Sequence, residues 1–120
     1  MNIQQEIQEI SDFVRDTKTV DSISEMENQL SLAIGFSQRI GELLNEAERA
    51  YSIKKANCIN DLSKLEDEET ETTRKAKLDA WTAEEKKLWK DLKNIQIHLK
   101  QRIMSLFQAI RTRREEFNRQ

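Results

Sequence analysis

Residues 23–65 read ISEMENQLSLAIGFSQRIGELLNEAERAYSIKKANCINDLSKL. Stepping alternately by three and four along them picks out Ile23, Met26, Leu30, Ala33, Ser37, Ile40, Leu44, Ala47, Tyr51, Lys54, Cys58, Asp61 and Leu65, most of them apolar. That spacing holds a row of side chains on one side of an α-helix and turns it toward a partner helix, as in a coiled coil of about six heptads. Ser37, Lys54 and Asp61 are its weak members, so the seam is imperfect. Just before it, Ser22 and Glu25 form the capping-box pattern that opens a helix. A long helix is expected over 22–66.

The seam lapses in Glu66-Asp67-Glu68-Glu69-Thr70-Glu71-Thr72-Thr73, where five acids repel one another. Threonine is only a modest helix former. A reversal of the chain fits this segment. A second site competes with it, because Thr82-Ala83-Glu84-Glu85 is another capping box. Residues 67–82 are therefore expected to be a turn region or a short helical piece.

Beyond them Leu78, Trp81, Leu88, Leu92, Ile95, Leu99 and Leu106 resume the heptad spacing, widened by Trp89, Ile103 and Ile110. A second long helix is expected over 83–117. At 1.5 Å per residue, helices of roughly 45 residues are about 68 Å long. With no proline, and only Gly35 and Gly41 as glycines, the chain has little with which to build tight turns.

Upstream, Ile3, Ile7, Ile10 and Val14 recur by four, three and four, with Phe13 beside them and Asn2 as a cap. About 14 residues is marginal for an isolated helix, so the helix expected over 1–17 must dock on something. The third helix is apolar on two sides between residues 95 and 110. Ile97, Met104 and Phe107 lie outside its seam. The start of the long second helix is also broad, with Leu32, Ile34, Phe36 and Leu43. In an antiparallel hairpin these broad regions meet. The expected fold is all-α: one helical domain over 1–120, built as a long antiparallel, coiled-coil-like hairpin. The short N-terminal helix packs at the end that holds the chain termini. Apolar surface beyond what it covers suits a second subunit.

Apolar residues make up 37% of the chain and charged residues 35%, which suits elongated helices better than a sphere. The net charge of −2 hides a division. Residues 1–85 hold 10 basic and 19 acidic side chains, and residues 86–120 hold 10 basic and 3 acidic. The start, MNIQQEIQEI, has neither the basic region nor the apolar run of a secretory leader, and no stretch is apolar enough to cross a bilayer. The expectation is a protein of the cytoplasm, in the producing or a host cell, with no membrane partner.

Catalysis has little to stand on. Nucleophilic chemistry needs an activated Ser, Cys or Lys beside a base. Cys58 and His98 are the one cysteine and the one histidine. A reversal near residue 70 leaves them roughly 16 residues, or about 24 Å, apart along the axis. A core cysteine and a surface histidine are the simpler readings. The acidic run lacks the glycine of a calcium loop, and one histidine cannot make the paired Glu-x-x-His of a di-iron bundle. No phosphate-binding glycine motif occurs. No cofactor, no metal and no enzyme activity are expected.

Two binding surfaces stand out. Trp81 falls on the seam and is expected inside. Trp89 lies at its edge, where a large aromatic either packs inside or anchors a partner. With Ile97, Met104 and Phe107 it forms the candidate protein interface. Lys86, Lys90, Lys93, Lys100, Arg111, Arg113 and Arg114 are the candidate nucleic-acid contacts, a basic balance suited to phosphates. The rival reading sets these bases against the chain's own acids, Glu25, Glu27, Glu42, Glu46 and Glu48, across the seam.

The stretch WKDLKNIQIHLKQRIMSLFQAIRTRREE, residues 89–116, resembles the C-terminal part of short helical proteins encoded by tailed phages and other mobile elements. The resemblance implies an accessory role, such as binding a host protein, a virion component or replicating DNA. It carries over no functional residue. The expected function is a non-catalytic, self-associating helical module that binds a protein partner as an adaptor or inhibitor. The alternative is a nucleic-acid-binding accessory protein that uses the basic last helix.

Overall fold

The computed structural model describes residues 2–16, 22–63 and 71–119. Every regular element among them is an α-helix: α1 (Ile3–Arg15), α2 (Ile23–Ser63), α3 (Glu71–Trp81) and α4 (Ala83–Asn118). The long helix α2 packs against α4 as a helical hairpin. The chain forms two compact units, one of Met1–Glu42 with Lys93–Gln120 and one of Leu43–Leu92.

In the first unit α1 lies with the start of α2 and the end of α4. Asn2 caps α1, accepting from the Gln5 amide at 2.8 Å, while the Gln5 side chain accepts from the Asn2 amide at 3.2 Å. Such a cap satisfies amide donors that the first turn otherwise leaves without a helical partner. Ile10 is buried to 2% exposure. Phe13 meets Phe36 of α2 edge-on, with ring centroids 5.1 Å apart, and the Arg102 guanidinium of α4 lies over the Phe13 ring, 5.6 Å from its centroid. The Arg102 guanidinium also donates to the Asp16 carbonyl at 3.1 Å. The first helix is thus docked on both long helices, although its outermost expected member, Ile3, stays exposed. Beneath it Met26 and Ala33 pack with Leu106 and Ile110.

Among the described residues of the second unit, Leu43, Ala47, Cys58, Leu62 and Leu92 are the buried apolar ones. The contacts run antiparallel: Tyr51 stacks on Trp89, with nearly parallel rings 6.3 Å apart, and Lys54 pairs with Glu85 at 3.0 Å. The two polar seam members behave as charge demands. Lys54 is exposed and turns to a carboxylate, and Asp61 is exposed while Leu62, beside it, is buried.

Two expectations are corrected. Trp81 is 42% exposed and is not a core residue. Thr82 does not reverse the chain. Its amide donates to Leu78 and its carbonyl accepts from Lys86, so i to i−4 bonding carries on between α3 and α4. Its hydroxyl donates back to the Leu78 carbonyl at 2.8 Å and is fully buried. Threonine can cap a new helix or bond back to the turn before it, and here the second use prevails. Gly35 and Gly41 admit no unusually close neighbour, since a Cβ at either would meet nothing within 4 Å. The reversal expected at 66–73 falls largely on 64–70, outside the described residues.

Candidate functional site

Within the first unit, α4 has two faces. Leu99, Leu106 and Ile110 turn inward and are buried. Ile97, Met104 and Phe107 turn outward and are 51%, 71% and 56% exposed. Between and beyond these three stand Lys100 and Arg111, both exposed. The order Ile97, Lys100, Met104, Phe107, Arg111 steps by three, four, three and four. It is a second heptad row on the same helix, and Lys93 and Arg114 extend it at either end. A shallow open surface follows its C-terminal half, lined by Met104, Phe107, Arg111, Arg114 and Glu115 among others.

The candidate protein interface and the candidate nucleic-acid contacts are thus largely one feature. Ile97, Met104 and Phe107 supply its apolar middle, and Lys93, Lys100, Arg111 and Arg114 its basic positions. Their common spacing was in the sequence, but sorting residues by chemistry separates what sorting by position joins. Four candidates stand elsewhere. Trp89 is half-buried in the second unit, its ring against Tyr51. Arg113 is off the row by one residue. Lys86 and Lys90 belong to the second unit, where Lys86 is half-buried and Lys90 exposed.

The terminal arginines meet carboxylates of their own chain. Arg114 bonds Glu27 of α2 at 2.6 Å. Arg111 and Arg113 reach Glu115 and Glu116 on α4, each at 3.7 Å. The expected division of bases on the last helix and acids on the first two is not uniform. In the second unit it is inverted, with the base Lys54 on α2 and the acid Glu85 on α4. The hydrogen bond from Lys54 holds the Glu85 carboxyl below its ordinary range, and the same bond raises the Lys54 amine. In the first unit Arg39 is held above its usual value by its bond to Glu6 of α1 and then by Glu42.

Cys58 is buried in the second unit and His98 is exposed in the first. Among the described residues no group of three or more His, Cys, Asp or Glu side chains could hold a metal ion. No described helix is long and apolar enough to cross a membrane. Compared with protein-family models, curated proteins and solved structures, the chain finds no match.

Proposed function

We propose that the protein is a non-catalytic helical interaction module, acting as an adaptor or inhibitor, that binds a protein partner through the outer face of α4. One observation carries this reading: three large apolar side chains stand exposed in a regular row on a helix whose opposite face already fills a core. Taking such a side chain wholly out of water is worth roughly 1.5–3 kcal/mol, and more than half of that is left for a shaped partner to gain here. An accessory role of the kind suggested by the resemblance of residues 89–116 to phage-borne helical proteins agrees with it.

The nucleic-acid alternative leans on the basic tail, and the tail's arginines are engaged with Glu27, Glu115 and Glu116. Changing Arg111, Arg113 and Arg114 together to Gln tests it. The fold should persist, because exposed ion pairs contribute under about 1 kcal/mol each. Labelled single- and double-stranded DNA is then titrated at two salt concentrations. Weak or absent binding near physiological salt is the expected result. Tight binding that weakens steeply with salt and is lost in the triple variant overturns the proposed reading.

A further inference from the structure

We infer that the partner of the outer α4 face is an acidic amphipathic helix, laid along the row Ile97, Lys100, Met104, Phe107, Arg111. The inference rests on the protein-interaction reading above and names the chemistry of the partner.

The spacing argues for a helix. A row stepping by three and four presents knobs and holes to another helix of matching period. An extended strand instead needs a free sheet edge or pockets for alternate side chains, and the described residues contain no strand. The apolar middle, Ile97 to Phe107, spans about 15 Å, or roughly three helical turns. Isoleucine, methionine and phenylalanine in one patch favour an adaptable apolar surface, since methionine fills irregular gaps.

The charges argue for acid. Lys100 interrupts the apolar row and Arg111 closes it; both are exposed, and the contact of Arg111 to Glu115 on its own helix is a loose 3.7 Å. A partner whose seam is flanked by Glu or Asp neutralises them, whereas one flanked by Lys does not. The same reasoning disfavours a second copy of this face. An antiparallel pairing centred on the apolar row sets Ile97 against Phe107 but also Lys93 against Arg111. A parallel pairing sets Lys100 against Lys100 and Arg111 against Arg111. Either arrangement places like charges together. Duplex DNA matches poorly as well, because Ile97, Met104 and Phe107 offer its phosphates no donor.

The test uses the full chain and three fluorescent synthetic peptides of about 21 residues, long enough to form a helix on docking. One has a leucine seam flanked by Glu, one has the same seam flanked by Lys, and one scrambles the acidic sequence so that no seam remains. We expect the acidic seam peptide to bind more tightly than the basic one by about tenfold or more, and the scrambled one not to bind. Met104→Glu with Phe107→Glu should abolish that binding, while circular dichroism shows the helices intact, as both positions are exposed. Lys100→Glu with Arg111→Glu should reverse the preference between the first two peptides. If the basic peptide binds as well as the acidic one, and both are lost in the Met104/Phe107 variant, the inference fails and the interaction reading stands. No binding of the acidic peptide at about 100 µM overturns the inference, being weaker than roughly 5.5 kcal/mol. Concentration-dependent dimerisation lost in the Met104/Phe107 variant also overturns it, and assigns the face to a second copy. Binding of labelled DNA or anionic vesicles through this face, with no peptide bound, overturns the inference and the interaction reading together.

Discussion

On one side of α4, Leu99 is fully buried and Leu106 and Ile110 nearly so. On the other, Met104 and Phe107 stand largely in water. Both rows have heptad spacing, both hold large apolar residues, and they share one stretch of one helix. The difference lies in what faces them. Met26 and Ala33 of α2 pack with Leu106 and Ile110, and nothing within the described residues packs so over Met104. Periodicity therefore reports that a helix has a face to offer. It does not report whether the chain itself supplies the cover.

Trimming each row in turn separates the two most strongly. Leu99→Ala should destabilise the protein by about 2–5 kcal/mol, because it removes buried atoms and leaves a cavity. Met104→Ala should change stability by less than about 0.5 kcal/mol, as an exposed site does. Urea unfolding followed by circular dichroism measures both. An equal loss at the two positions means that the outer row is covered in solution.

A smaller effect, of opposite sign, is expected on α2. Gly35 and Gly41 sit inside a helix, neither has a positive φ, and a Cβ at either meets open space. Alanine at either position should stabilise the fold by about 0.5–1 kcal/mol, chiefly by restricting the unfolded chain. Thermal melts of the two single variants and the double variant decide it. A loss of stability at Gly35 would show that the small residue there serves a close approach made only with a partner.

The smallest effect concerns Lys54 and Glu85. The Glu85 carboxyl titrates below its ordinary range when folded, so its contribution is present above the unfolded value and fades as pH falls through the folded one. Lys54 titrates above its usual range, so its contribution is present below the unfolded amine value and fades as pH rises through the folded one. Glu85→Gln should therefore melt slightly below the parent near pH 7, and the two should converge in acid, once the pH has fallen through the folded carboxyl's own titration. A gap that persists in acid would assign the loss to packing instead of charge.

Much of the architecture was legible in the sequence. The seam of α2 is there in Met26, Ala33, Ile40 and Ala47, all buried, and the docking face of α1 in Ile10. What escaped was decided by competition between equally allowed choices. Thr82 can cap or bond backward, and only the packing around it selects between the two. Trp81 has the right spacing for the seam yet stays half outside, because spacing fixes a direction and not a depth. The outer row of α4 was legible residue by residue. Read as bases and apolars apart, it looked like two rival sites.

The burial of Cys58 has a practical consequence. It is the one thiol in the chain, and it is 7% exposed within the second unit. The thiolate attacks an electrophilic thiol reagent, and a closed helix pair keeps the two apart. Labelling must then wait for local opening, and its rate follows the free energy of that opening whenever reclosing is fast. The protein thus carries a built-in stopwatch for the unit that does not hold the outer α4 row. A ligand of that outer row whose binding slows the labelling is felt beyond the unit it touches.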